Sequence, residues 1–333
     1  MKKIAINGFG RIGRIAFRML FDSKDYEVVA INSHGSSEDI AYLLKYDTVH
    51  GNRFLNEITY DNDGIYINGT FTRVLQIDDV YNYPWKDLDI DLVLECTGAF
   101  TKYDDAIKHI YAGAKHVLIS APGKGNMKTV VYGVNDEILE SDDKVVSSAS
   151  CTTNCLAPVL SLIDEYIGIE SGFMTTIHAY TNDQNTLDGS HKKGISSRRG
   201  RAAAENIVPA STGAASAIGL VLPNLNGKLA GSAFRVPVAD GSCIDLNLTL
   251  ERETSKEEIN AIFNNYQNDV IKFTMDPIVS SDIIGNPCGA LVDGNLTDVL
   301  DTNKKQVKIV AWYDNEYGYT AQMIRTMDKL LKL

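Results

Sequence analysis

The first thirty residues constrain the fold more than any later stretch. "KKIAIN" is a short run of β-forming residues, and "GFGRIG" follows it without a break. "RIGRIAFRMLF" then places Ile12, Ile15, Ala16, Met19 and Leu20 on one helical face, and "YEVVAIN" reads as the next strand. Strand, glycine turn, helix and strand in that order make a βαβ unit. Gly8 makes the tight turn, Gly10 lets the backbone approach a pyrophosphate, and Gly13 lets the helix pack close to the strand. The free N–H groups and dipole at the helix start favour phosphate. The sequence therefore predicts a dinucleotide site built around Asn7, Gly8 and Gly10.

The rest of the first half continues the alternation. "SSEDIAYLLKY" reads as a helix with a serine cap ahead of Glu38 and Asp39. "NEITYDNDGIYINGTFTRVL" holds short strands with turns, and "DLVLECTG" is a buried strand. "DDAIKHIYAGA" reads as a helix, "KHVLISAPG" and "KVVSSAS" as strands. Such alternation predicts a doubly wound parallel sheet with helices on both faces, an α/β Rossmann domain over residues 1–150. Ligands in such sheets bind at the carboxyl ends of strands. Thr97 and Ser120 sit at such ends, and position alone allows each to be a ligand contact or a polar loop residue.

Composition excludes several classes. The balance of 32 basic and 43 acidic residues gives a net charge of −11, which argues against nucleic acid as a partner. An anionic ligand must then be held by local positive features. No run approaches the length of a membrane span, and "MKKIAINGFG" reaches its glycine loop too soon for a signal peptide. Five scattered cysteines fit a reduced cytoplasmic protein better than a disulfide scaffold.

The second half carries the chemistry. "SASCTTNCLAPVLSLIDEY" turns from strand into helix, with Cys151 at the helix start. Dipole and free N–H groups there favour a thiolate, so modest local help is expected to ionise it. Cys155, one turn on among apolar residues, reads as a core thiol; with no Cys or His pair at zinc-like spacing nearby, no metal is expected. "FMTTIHAYT" is a strand carrying His178, the candidate base. A nucleophilic thiol beside a dinucleotide points to aldehyde oxidation through a thioester.

Arg198, Arg199 and Arg201 form a basic knot in an acidic chain; it is either a solvated or subunit-interface patch or an anion site. "STGAA" offers a hydroxyl and backbone N–H groups at a helix start, and "SAFRVPV" adds Arg235 on a strand. The later runs, "CIDLNLTLER", "SKEEINAIFNNY", "QVKIVAWYDNEYGY" and "TAQMIRTMDKLLKL", predict an α+β domain with a mostly antiparallel mixed sheet over 151–317. Its closing helix, 318–333, is expected to pack back on the first domain.

"INGFGRIGR", "LLKYDTVHG", "SASCTTNCLAPV", "TTIHAYTNDQ", "STGAA", "RVPV" and "WYDNEYGY" occur in that order along nearly the whole chain. In this the sequence resembles the phosphorylating glyceraldehyde-3-phosphate dehydrogenases. The resemblance implies a homotetramer that oxidises glyceraldehyde 3-phosphate with inorganic phosphate to 1,3-bisphosphoglycerate, in glycolysis or gluconeogenesis. It implies Cys151 as nucleophile and His178 as base. Thr181 and Arg235 match the site for the substrate's phosphate. Ser150, Thr152, Thr212, Gly213 and Arg199 match the site for the attacking phosphate, with Arg198 one position away as the alternative to Arg199. Arg11, Ile12, Thr97, Ser120 and Asn315 match cofactor contacts.

Three departures bear on the cofactor. The resemblance implies an aspartate at Ser33, where it would hold the adenine ribose and exclude a 2′-phosphate. It implies an apolar residue and proline where this chain has Gly189 and Ser190, and a serine there can reach the 2′-phosphate from a neighbouring subunit. Both point to NADP as well as NAD. Asp78, near where relatives carry a basic residue, points the other way. Two other readings stay open, an erythrose-4-phosphate dehydrogenase and a non-catalytic surface or partner-binding role.

Overall fold

A computed structural model describes residues 1–194 and 196–333, and the chain divides into two compact units. The first comprises Met1–Val130, Asp136–Ala149 and Met323–Leu333. Its strands are β1 (Lys2–Asn7), β2 (Tyr26–Asn32), β3 (Ile58–Tyr60), β4 (Gly64–Ile67), β5 (Thr70–Leu75), β6 (Leu92–Glu95), β7 (His116–Ile119), β8 (Lys128–Thr129) and β9 (Val145–Ser147). They form one sheet in the order β3-β4-β5-β2-β1-β6-β7-β9-β8. Only the β3–β4–β5 meander pairs antiparallel; every other pair is parallel. From β1 the chain winds first to β2 and later returns to β6 on the other side, so the crevice opens beyond the ends of β1 and β6.

Helix α1 (Arg11–Leu20) buries Ile15, Ala16 and Leu20 as its spacing predicts, but also Phe17 and Arg18, while the predicted Ile12 and Met19 are only half-buried. Helix α2 (Ser37–Lys45) begins with a reciprocal cap in which Ser36 and Asp39 satisfy each other's backbone N–H groups. The single helix expected over "DDAIKHIYAGA" is instead two short ones, α3 (Tyr103–Ala106) and α4 (Lys108–Tyr111). Ile107 between them has ψ −20°, and the Ile110 N–H turns back to the Ile107 carbonyl, a tighter turn than an α-helix makes. Met323, Met327 and Leu330 of the closing helix lie in the same core as Ile4, Ile31 and Leu94.

The second unit comprises Val131–Asn135 and Ser150–Gln322. Its strands are β10 (Ile169–Ala179), β11 (Val208–Ala210), β12 (Leu229–Val236), β13 (Ser242–Leu250), β14 (Ile271–Thr274), β15 (Ala290–Asp293), β16 (Asp298–Leu300) and β17 (Asn303–Tyr313). Seven lie in the order β11-β12-β10-β13-β17-β15-β14, and β16 pairs β17. The pairs β10–β12 and β14–β15 are parallel and the rest antiparallel, the mixed sheet that the sequence predicts. Helix α5 (Cys151–Tyr166) packs on this sheet and beside α6 (Ala214–Val221) and α7 (Lys256–Asn265), burying Leu156, Val159, Leu160 and Ile163. The chain ends in α8 (Tyr317–Leu331).

Candidate active site

In the first unit, the ends of β1, β2 and β6 surround a cavity of about 660 Å³ lined by Asn7, Gly8, Gly10, Asn32, Ser33 and Thr97 among others. The glycines explain its shape. Gly8 has φ +93°, and a Cβ there would meet the Thr97 backbone nitrogen at 2.6 Å. A Cβ on Gly13 would meet the Gly8 carbonyl oxygen at 2.2 Å, so helix and strand touch main chain to side. Gly10 has no protein atom within 4 Å of a Cβ position, so the fold itself does not demand glycine there. Gly10 also begins α1 without a side-chain cap, which leaves first-turn N–H groups for an anion. These residues fit a dinucleotide, with the pyrophosphate at the uncapped turn.

The second unit holds the thiol. Ser150 caps α5 by accepting the Thr153 N–H at 3.1 Å, which makes Cys151 the first helical residue. Ala149, just before, has φ +57°, a left-handed turn into the helix. The Cys151 Sγ lies 3.4 Å from His178 Nε2. His178 Nδ1 is 2.7 Å from the Ala179 carbonyl oxygen, which can only accept. Nδ1 also lies 3.0 Å from Arg235 Nη1, but the two hydrogens of that Nη1 are taken by the Ala179 carbonyl and the Thr181 hydroxyl. Nδ1 therefore carries the ring hydrogen, and Nε2 offers its lone pair to the thiol. That is the tautomer a general base needs.

Arg235 sits opposite His178 in the parallel β10–β12 register. Its Nη1 donates to the Ala179 carbonyl and the Thr181 hydroxyl, both at 3.0 Å. Thr181 in turn donates to Asp183, which pairs with Arg199. Two arginines and a threonine thus gather beside the base around one aspartate.

Residues 2–103 match the family described as "Glyceraldehyde 3-phosphate dehydrogenase, NAD binding domain", and residues 150–315 match its "C-terminal domain". Three similar proteins carry the name "Glyceraldehyde-3-phosphate dehydrogenase". That of Clostridium acetobutylicum is 51% identical over all of this chain and 99% of its own length. That of Clostridium pasteurianum is 50% identical over the same shares. That of Streptococcus pyogenes serotype M1 is 50% identical over 99% of this chain and 98% of its own. The chain belongs to the glyceraldehyde-3-phosphate dehydrogenase family.

Within this dehydrogenase framework the expected residues distribute as follows. Ser150 and Thr152 flank the nucleophile, and Thr212 and Gly213 precede α6, where Thr212 Oγ1 accepts the Ala214 N–H at 3.2 Å. Arg199 pairs with Asp183, which also accepts from the Thr181 hydroxyl beside Arg235. Arg198, Arg199 and Ser211 line a second cavity of about 550 Å³. Arg11 is held by a two-point pair with Asp47, Nη1 to Oδ2 at 2.6 Å and Nη2 to Oδ1 at 3.0 Å, and Ile12 packs against the first unit's core. Ser120 follows β7 directly, with its N–H on the Glu95 carbonyl. Ser190 is exposed, and its carbonyl accepts from Asn185. Asn315 is buried; its Oδ1 accepts from Ser242 Oγ at 2.6 Å, which leaves the NH₂ as the group it presents.

The sequence predicts a Cys151 that modest local help ionises; burial pushes the thiol up, and Arg235 is the main influence in the opposite direction. Burial also pushes His178 down to about 3, and Arg235 adds to that.

Sequence reasoning missed Tyr313 and Thr176. The buried Tyr313 hydroxyl bridges Thr152 Oγ1 at 3.0 Å and Thr176 Oγ1 at 2.8 Å, pinning the first turn of α5 to β10 and β17. It also missed Ser242, which accepts the Ala179 N–H at 3.0 Å while orienting Asn315. Alternation along each strand marks these residues as inward-facing, but their partners lie far away in sequence.

Proposed function

We propose that this chain oxidises glyceraldehyde 3-phosphate, with inorganic phosphate and NAD, to 1,3-bisphosphoglycerate. The observation that carries this reading is the Cys151–His178 pair at 3.4 Å, set beside the Arg235–Thr181–Asp183–Arg199 cluster. The dinucleotide supplies a hydride acceptor when bound. Cys151 adds to the aldehyde carbon as Nε2 of His178 takes the thiol proton and passes it to the adduct's oxygen. The imidazole, neutral again, would take that hydroxyl proton back as the carbon loses its hydride to the bound acceptor, which leaves a thioester on Cys151. Arg235 and Thr181 hold the substrate's phosphate, and the free N–H groups at the start of α5 face the developing oxyanion. Inorganic phosphate then cleaves the thioester, held near Ser150, Thr152, Thr212, Gly213 and Arg199.

The same reading extends to the cofactor. NADP is accepted beside NAD, because Ser33 brings no carboxylate to the ribose corner. Two neighbouring acids are occupied, Asp39 in capping α2 and Glu38 in accepting from the Tyr60 hydroxyl at 2.7 Å, while the exposed Asp78 lines the same cavity and counts against a 2′-phosphate. Arg11, Ile12, Thr97, Ser120 and Asn315 contribute to cofactor binding, and Ser190 reaches the 2′-phosphate from a neighbouring subunit.

The working form is a cytoplasmic homotetramer. Phe173 and Leu300 are exposed and line one groove of the second sheet, together with Asn247 and Lys308 between them, a surface suited to a second copy. Among the described residues no helix is long and apolar enough to cross a membrane.

Phosphate-dependent NADH production from glyceraldehyde 3-phosphate tests the activity. Faster, phosphate-independent turnover of erythrose 4-phosphate would replace it, and turnover of neither substrate would reject it. Cys151→Ser should abolish turnover while NAD still binds. Comparing kcat/KM for NAD and NADP tests the cofactor reading, and a strong NAD preference would sink it.

A further inference from the structure

One carboxylate lies wholly inside the first unit. Glu95 closes β6, and neither its side chain nor that of His109 on α4 has any exposed surface. Burying a carboxylate is costly unless donors surround it. Here four do. Oε2 accepts from Asn7 Nδ2 at 2.6 Å and lies 3.1 Å from His109 Nε2. Oε1 accepts the Thr97 backbone N–H at 2.8 Å and the Thr97 hydroxyl. The imidazole's role is fixed by its other nitrogen. Trp85 Nε1–H can only donate, and it reaches His109 Nδ1 at 3.0 Å. Nδ1 is therefore the acceptor, and Nε2 carries the hydrogen directed at Glu95.

The chain of bonds runs outward to the cavity. Asn7 Oδ1 accepts from Asn32 Nδ2 at 2.8 Å. Asn32 exchanges two bonds of 3.0 Å with the main chain of Ile77. Asn7, Asn32, Ile77 and Thr97 line the dinucleotide cavity from four separate segments, whereas Trp85, Glu95 and His109 stand behind its wall.

We propose that Glu95, held by His109 and Trp85, is the positioning residue of the dinucleotide pocket. One buried carboxylate sets the Asn7 amide and the turn at Thr97, and the Thr97 nitrogen lies against Gly8 of the glycine loop. An amide cannot replace it. Glutamine at 95 would turn an NH₂ toward either the Thr97 N–H or His109 Nε2–H, donor against donor. Moving the ring hydrogen to Nδ1 would relieve the second conflict only by setting it against Trp85. Each rearrangement reaches the cavity wall, so dinucleotide binding has to restore the order that the carboxylate provides.

The test is calorimetric titration of the full chain with NAD, alongside KM for each substrate. Glu95→Gln and His109→Leu should each raise the Kd and KM for NAD about tenfold or more, by analogy with the loss of residues that orient ligand-bearing groups. KM for aldehyde and phosphate should stay within about twofold of wild type. His109→Gln keeps an acceptor for Trp85 and a donor for Glu95, and should stay within about threefold of wild type for NAD. A purely structural role would lower Tm in the variants while leaving the Kd for NAD unchanged where all are folded, and that result overturns the proposal. So does a His109→Gln chain as weak as His109→Leu. Should Glu95→Gln not fold, the two His109 variants decide alone. The inference rests on the cavity being the NAD site. Wild-type protein that fails to bind NAD would remove that reading, whereas variants that bind like wild type would remove only the role of Glu95.

Discussion

His178 and Arg235 stand side by side, with Nη1 of the guanidinium 3.0 Å from Nδ1 of the imidazole. A second positive charge at that spacing is unfavourable, so the arrangement keeps the base neutral and ready to accept a proton. Burial is the larger cause and Arg235 the second. Replacing Arg235 with Met should therefore raise the pH at which His178 charges, while the imidazole stays below its ordinary range. Histidine NMR titration in a Cys151→Ser background reads this directly. An unmoved titration would show that Arg235 contributes nothing to the base.

Tyr313→Phe removes one oxygen and strands two hydroxyls, those of Thr152 and Thr176, both buried. Leaving buried polar groups without a partner costs about 1–3 kcal/mol. Urea unfolding should show that loss. Because Thr152 follows the nucleophile, kcat should fall several-fold while KM for NAD holds. Wild-type stability would mean that the hydroxyls find other partners.

Asp47 ties Arg11 to the loop after α2. Burial alone would raise its pKa, but the bonds from Arg11, His50 and Val49 more than offset this and hold it at about 2, below the ordinary 3.8. A depressed carboxyl stabilises the fold at pH values above 3.8. The contribution declines as pH falls through 3.8 and is gone below about 2. It amounts to about 2 kcal/mol. Asp47→Asn should be less stable than wild type by about that amount at pH 7, with the gap narrowing at pH 3. Denaturant titrations at both pH values check it, and a gap that ignores pH would assign the loss to packing.

Ser33→Asp would place a charge at the ribose corner of the cavity. Like charges about 4 Å apart repel by roughly 1–4 kcal/mol between water-like and surface-like dielectric. The kcat/KM ratio should move toward NAD by roughly ten- to a thousandfold if the 2′-phosphate lies there. An unchanged ratio would place the ribose elsewhere.

What the sequence revealed depended on how local each signal was. The glycine loop, the capped α2, the strand carrying His178 and the helix beginning at Cys151 are contiguous patterns, and each element stands where its residues predict. The broken helix around Ile107 was hidden because its cause is tertiary: His109 is drawn into a site between Trp85 and Glu95, distant in sequence. Asp183 reads as one more polar loop residue until Thr181 and Arg199 close on it.

The parallel pairing of β10 with β12 separates alignment from substrate choice. Main-chain hydrogen bonds fix His178 opposite Arg235, and a slip of two residues would bring Ala233 there instead. The connection from Tyr180 to Lys228 carries Thr181, Arg199 and Thr212 but does not set that register. Segments of this connection outside β11 and the Thr181–Asp183–Arg199 contacts can therefore vary while the base and its guanidinium neighbour remain aligned. The same reasoning makes an insertion within either strand far more damaging than a longer one in the loop.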